Sequence, residues 1–441
     1  MSSRVVREPA DGALLHAIRR RAVPLHDAAD LDPLLRRLDG PRLACIGEAS
    51  HGTREYYRWR AVLSRRLIEE QRFNWIGVEG DWPDCWRINR WVRGHEDQDL
   101  DARGVLSRFE RWPTWMWANT EVADFLDWLR EHNATRSEAN RVGFYGLDVY
   151  SLWDSLRRII EWLEANAPDA VPAAMRAWQC FVPYDEDPHE YAWSTRLVPT
   201  SCEPEVVTLL AAVRARSRET ADDPEGAFDA LQNAEVAAGA ERYYRIMVRG
   251  DRQSWNVRDR HMAATVERIT AHLGPTSKGL VWAHNTHVGD ARATTMAAEG
   301  MVNVGQLLRE HHGRPHVGLV GFAGHRGTVL AGAAWGAPEH VMPVPVAREG
   351  SHEHLLHTAL GDDALVLVEP DGSDPWLGAV RGHRAIGVVY QPAREAGNYV
   401  PTCVGERYDA LLWIEDTSAL VPLHHEAPPA EPELETEPTG F

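Results

Sequence analysis

Glu48 and His51 stand three apart in "CIGEASHGTREYY", residues 45 to 57, where an apolar run gives way to a helical pattern. A carboxylate that orients an imidazole, leaving its other ring nitrogen to take a proton from water, is one reading; the unperturbed pKa of His suits that task. Two others stand beside it: a pair of metal ligands, or the polar start of a helix capped by Ser50 or Thr53. Gly47 and Gly52 flank the pair and would let backbone approach a substrate closely.

Further groups with the same chemistry recur along the chain. "GVEGDWPDCW" carries Glu79 and Asp81, which either cap the helix opening near Pro83 or, in the case of Glu79, help orient a nucleophilic water or share a proton with His51. Asp148 ends "VGFYGLDV", and "WAHNTHVGDAR" carries His284 and His287 three apart, with Asn285 and Asp290 beside them. An imidazole there can donate to a carbonyl oxygen as charge develops, or protonate a departing alcohol. Arg60, in "YYRWRAVLSRRLIEE", either belongs to a solvated helix face or turns inward to organise the carboxylates. The histidines and carboxylates together could also hold a divalent cation, although the spacing is not HExxH. GxSxG, GxxxxGK[ST] and a Rossmann GxGxxG context are all missing, which disfavours a serine hydrolase and a nucleotide-driven enzyme. Cys45 falls inside an apolar run, where packing is the simpler role.

The elements that must position these groups are visible as apolar runs at 42–47, 74–80, 142–149, 279–285, 317–324, 364–369 and 385–391, alternating with helical patterns. Such alternation predicts an α/β fold, a mostly parallel sheet flanked by helices. Loops at the carboxyl ends of its strands then converge on one cleft. The candidate residues fall at those ends repeatedly. Residues 1–40 read as a helical entry segment, 41–150 and 276–425 as two parts of the α/β core, and 151–275 as a mainly helical insertion or subdomain. Residues 426–441, acidic and proline-rich, predict a disordered tail.

The 441-residue chain carries a formal charge of -18, which disfavours nucleic acid as a partner. The start of the sequence has no signal-peptide pattern and no stretch of 18 residues lacks charge, so a soluble, cytoplasmic protein without a membrane partner is predicted. Five scattered cysteines without a CxxC pair suggest neither a disulfide framework nor a cysteine zinc site and favour a reducing compartment. Eighteen tryptophans, dense in "ERWPTWMWANTEVADFLDW", either line an apolar pocket or fill the core. Nothing in the sequence bears on oligomeric state.

The stretches "IGEASHGTREYYRWRAVLSRRLIEE", "GVEGDWPD", "FYGLDVYSL", "VWAHNTHVGDAR" and "NVGQLLRE", in this order, resemble the erythromycin esterase family from about residue 40 to 415. The resemblance implies an α/β core with a helical portion beside it, a cleft between them, and hydrolysis of an ester, in the best-known members the macrolactone of erythromycin-type antibiotics. It places the family's site residues on Glu48, His51, Arg60, Glu79, His284 and His287. Members tied to polysaccharide biosynthesis share these motifs, so hydrolase chemistry is implied more firmly than macrolide resistance. The expected mechanism has His51, oriented by Glu48, activate water without an acyl-enzyme. Glu79 would position the water, Arg60 and His284 would polarise the ester carbonyl or stabilise the tetrahedral oxyanion, and His287 would support that site or serve the leaving alcohol. No cofactor is predicted; the alternatives are a metal-dependent hydrolase using the same cluster, and a binding protein that holds a small ligand or cofactor without turnover.

Overall fold

A computed structural model describes residues 10–184, 186–197, 201–219, 222–248, 252–369 and 374–425. The expected tail, 426–441, lies outside them. In chain order the strands are β1 (Ala22–Pro24), β2 (Leu43–Ile46), β3 (Trp75–Val78), β4 (Gly143–Gly146), β5 (Gly279–Trp282), β6 (Val317–Gly332), β7 (Glu339–Val344), β8 (Ala364–Leu367), β9 (Val380–Arg384), β10 (Tyr399–Cys403) and β11 (Ala410–Thr417). Eight of them lie side by side in the order β1-β8-β11-β6-β2-β5-β3-β4, and β7 pairs with the far half of the long β6. The run from β11 to β4 is parallel throughout. The fold is thus α/β, with a mostly parallel sheet buried between helices.

Alternation along each strand explains why both faces are covered. Ala44, Ile46, Ile76, Val78, Leu280 and Trp282 pack into one apolar cluster, while Leu43, Cys45, Trp75 and Val281 pack into another across the sheet. Cys45 is fully enclosed, and burial pushes its thiol up to about 12, which leaves it a packing residue. Between β4 and β5 the described residues contain helices and no strand. The helices Leu152–Asn166, Val171–Phe181, Pro188–Leu197, Glu203–Glu219 and Pro224–Met247 share a hydrophobic cluster of their own. Phe228, edge-on to Trp82 of the core, joins that portion to the sheet.

Three expectations need correction. The apolar run 385–391 is not a strand: Ile386 and Val389 make only isolated bridges, and Ala385, Gly387 and Val388 line a cavity at the strand ends. Its hydrophobicity serves that wall, while the central strand next to β6 is β11, formed by "ALLWIEDT". Cys180 and Cys202, 22 residues apart, are joined by a disulfide that ties the helix Val171–Phe181 to the residue just before the helix Glu203–Glu219. Tertiary packing brings them together where sequence spacing carries no signal, so the cysteine pattern no longer argues for a reducing compartment. No described helix is long and apolar enough to cross a membrane.

The loop after β2 is fixed by close backbone approach, and the partner is the protein's own chain. At Gly52 an added Cβ would lie 1.8 Å from the Leu330 carbonyl oxygen of β6, and at Gly47 it would lie 2.2 Å from Asn285 Oδ1. The Gly52 carbonyl accepts from the Leu330 and Leu420 amides at 3.0 Å each. Gly52→Ala must push β6 and this loop apart. A loss of about 2–3 kcal/mol in unfolding free energy is expected by chemical denaturation; unchanged stability would show that the loop has room to move.

Candidate active site

Glu48 and His51 leave the carboxyl end of β2 and are held between the sheet and the helix Arg54–Gln71. Neither candidate cap is used. Ser50 and Thr53 hydrogen bond to each other, and Thr53, which precedes that helix, makes no side-chain capping bond. Glu48 Oε1 instead accepts from His51 Nδ1 at 2.8 Å, which fixes the tautomer and leaves Nε2 for the cavity that His51 lines. Arg60 lies behind the pair. Its Nη1 is 3.1 Å from Glu48 Oε2, and its guanidinium is wholly buried among the rings of Tyr57, Trp282 and Trp117. From there it compensates the charge of Glu48 but does not reach the cavity lining, so the expected contact with an ester carbonyl is not geometrically available.

Glu79, at the end of β3, has both oxygens occupied. Oε1 accepts from Arg258 Nη2 at 2.8 Å and lies 3.3 Å from His287 Nε2, and Oε2 accepts the His284 backbone N–H at 2.8 Å. Burial alone would raise its pKa, but His287, Arg258 and His51 outweigh burial and hold it well below the carboxylate range. Asp148, after β4, receives Arg258 in a two-point grip: Nε to Oδ1 at 2.9 Å and Nη2 to Oδ2 at 2.6 Å. Asp81 precedes the helix Trp82–Val92 but makes no cap either. It turns to Arg111, as a wall of the cavity rather than part of the histidine cluster.

The two later histidines differ in protonation. His284 accepts the Thr286 N–H at Nδ1 (3.3 Å), so it is itself the cap of the short helix Asn285–Val288, and its proton sits on Nε2. Burial, then the neighbouring His51, keep its pKa well below the ordinary value, so it stays neutral. The ring lies 4.9 Å, centroid to centroid, from that of His51. His287 Nδ1 donates to both oxygens of Asp259, at 2.9 and 3.0 Å. Burial opposes its charge, yet Asp259 and Glu79 together lift its pKa to about 9. Arg258 Nη1 is 3.1 Å from Nε2; two cations cannot share a hydrogen bond, so the Nε2 proton points to Glu79. Trp255 stacks flat on the imidazolium, with ring centroids 4.5 Å apart. Asn285 and Asp290 take structural roles: Asn285 bonds to the Phe322 backbone, and Asp290 pairs with Arg292.

Trp255, Arg258 and Asp259 all come from the helix Gln253–Leu273, so the helical portion closes the site opposite the strand ends. Sequence reasoning missed them. The only signal was the stretch "NVRDRHMAATVERITAHL", in which an Arg next to an Asp reads as a solvated face. The cavity has a volume of about 540 Å³, with Trp112, Trp117 and Trp335 on its apolar side. Of the tryptophan-rich stretch, Trp112 and Trp117 therefore line it, whereas Trp115 is core.

The chain matches the family model described as erythromycin esterase over residues 68–417, a span that begins after Glu48, His51 and Arg60 and includes Glu79, His284 and His287. It is 28% identical to erythromycin esterase type II of Escherichia coli over 120 residues, 27% of this chain and 26% of that protein. To YbfO of Bacillus subtilis (strain 168), provisionally named a hydrolase, it is 20% identical over 293 residues, 62% of this chain and 63% of that one. It thus spans about a quarter and under two thirds of the lengths of these relatives. Among solved structures, a succinoglycan biosynthesis protein superposes with TM-score 0.75 at 18% identity, over 94% of this chain and 99% of the other. A mutant of the erythromycin esterase EreC in its open conformation gives 0.65 at 18% identity, over 90% and 98%. At such identity these likenesses show the fold alone. The family model, however, spans most of the sequence, and the chain belongs to the erythromycin esterase family.

Proposed function

We propose that this protein is a hydrolase that cleaves a carboxylic ester by direct attack of water, with His51 as general base and no acyl-enzyme. The observation that carries this reading is the Glu48–His51 hydrogen bond of 2.8 Å, which commits Nδ1 and leaves Nε2 at the cavity. In the proposed reaction His51 Nε2 takes a proton from water as its oxygen attacks the ester carbon. Glu79 has one acceptor site left after three contacts, enough to hold that water. The neutral Nε2–H of His284 is the donor for the developing oxyanion, and His287, charged at neutral pH, can turn its Nε2 proton from Glu79 to the leaving alkoxide. Arg60 and Arg258 act through the carboxylates they hold.

The donor set also supports a metal-free reaction over a metal-dependent one. For Glu79 and His287 to ligate a cation, Arg258 would have to leave a position where it already neutralises Glu79 and Asp148. Among the described residues, the groups of three metal-ligating side chains that converge lie elsewhere, at Glu267, His311 and His312 and at His325, His357 and Glu415. The substrate we favour is an apolar ester with polar substituents, a macrolactone among the candidates, because charged groups at the strand ends face tryptophans on the other wall.

Purified protein incubated with macrolides and simple aryl esters, followed by mass spectrometry, should show gain of one water in at least one substrate, unaffected by chelator. His51→Ala should lower that turnover by about 10²–10⁴-fold; wild-type rates in the variant would remove His51 from the mechanism.

The charged state of His287 makes a separate prediction. Its folded pKa of about 9 lies above the unfolded value of about 6.5, so its stabilising effect is complete below pH 6.5 and fades as pH rises through 9. Glu79 works in the opposite direction, being lowered: its contribution holds above pH 4.5 and is lost on acidification. The stability gap between wild type and His287→Gln should therefore narrow by about 2 kcal/mol between pH 6.5 and 9. A gap that is flat with pH, measured by denaturant titration, would mean that His287 is neutral.

A further inference from the structure

The cluster of Glu267, His311 and His312 has no part in the proposed reaction, yet its donor atoms converge. His312 Nε2 lies 2.7 Å from Glu267 Oε1, and His311 Nε2 lies 3.6 Å from Glu267 Oε2. The two imidazoles are perpendicular, with centroids 4.7 Å apart, so neighbouring side chains aim the same ring atom at the two oxygens of one carboxylate. Adjacent residues on a regular helix normally diverge by about a quarter turn. Here the pair sits at the last turn of the helix Val304–His312 and both rings reach across to the helix Gln253–Leu273. Two imidazoles and a carboxylate are ordinary ligands for zinc-class cations, and the exposure of His311 beside the half-buried Glu267 and His312 leaves room for water in the remaining position.

We propose that Glu267, His311 and His312 form a binding site for a divalent transition metal of the zinc class, which clips these two helices together. The helices so joined are the ones that hold Asp259, the carboxylate on His287 Nδ1. Asp259, two turns before Glu267, accepts the Val304 N–H at 3.0 Å and holds His287. A clip at the far end of this helix pair fixes the register of the contact between Asp259 and Val304. The other converging group, His325, His357 and Glu415, is a natural control. There the two imidazoles stack flat, 3.7 Å apart and within 1° of parallel, so their in-plane lone pairs run side by side instead of meeting at one ion.

The test is calorimetric titration of zinc chloride into the full chain, without an affinity tag and stripped of metal, at pH 7.5, with thermal unfolding in parallel. One zinc per chain and a raised Tm are expected in the wild type. His311→Ala and His312→Ala should each weaken binding about tenfold or more and abolish the rise in Tm, while ester turnover without metal stays at the wild-type level. His325→Ala should behave as wild type. No binding at millimolar zinc, or binding that survives both variants, would overturn the site. Binding lost in His325→Ala would place the ion at the other cluster and overturn it equally. Zinc bound through His311 and His312 without a rise in Tm would overturn the clip.

Discussion

The guanidinium of Arg258 is the constraint on which the rest of the site depends. Glu79 and Asp148 stand at the ends of the neighbouring strands β3 and β4, both buried, and two adjacent carboxylates in that setting repel each other and lose their hydration. Arg258 answers both at once by bridging them. The sheet can bring the carboxylates together but supplies no cation to separate them. That cation comes from the helical portion, so the two parts of the chain are needed to make one site. Removing a partner from a buried pair of this kind typically costs 3–5 kcal/mol, since an uncompensated charge is left behind.

Arg60 does the same work from the opposite side with different means. Aromatic faces surround its guanidinium, and Glu48 is its ion-pair partner. The two arginines thus bracket the cluster, one behind the loop after β2 and one across from the strand ends. Between them, three histidines have unlike surroundings: His51 beside one carboxylate, His287 between two, and His284 bonded to the Thr286 backbone N–H. One type of side chain thereby yields a neutral donor at His284 and a charged one at His287. Placement relative to carboxylates sets this division.

Much of this was legible before the structure, for a physical reason. In a parallel sheet every strand delivers its following loop to the same edge, so polar residues just after apolar runs must meet there. That argument brings Glu48, His51, Glu79, Asp148, His284 and His287 to one place. It fails for groups carried by helices. Arg60 was identifiable as a residue but not as a buried one, because its helix carries several arginines and only packing decides which turns inward. Arg258 and Asp259 were invisible, since a charged pair within an amphipathic helix looks the same whether it faces water or buried carboxylates. The strands show the same limit: the apolar run 385–391 is a cavity wall and β11 stands outside the expected strands, because an apolar run signals burial and not the kind of surface that buries it.

The cavity's two walls come from different parts of the chain, and the division matters physically. The acid and base groups occupy strand ends and the first turns of the helix Gln253–Leu273, elements fixed by the sheet. The apolar wall is built by loops: Trp112 and Trp335, far apart in sequence, meet with ring centroids 4.5 Å apart, and Gly387 and Val388 continue the surface. An apolar wall opposite charged groups displaces water when a substrate enters, and every remaining ion pair and donor then acts in a medium of lower effective dielectric. The bracket of two arginines becomes more necessary under those conditions, because the charges it balances can no longer be screened by solvent. Recognition by loops and chemistry on the sheet are separable by position, yet the electrostatics binds them: the tighter the apolar wall closes, the more the acid–base set relies on Arg60 and Arg258 to stay in place.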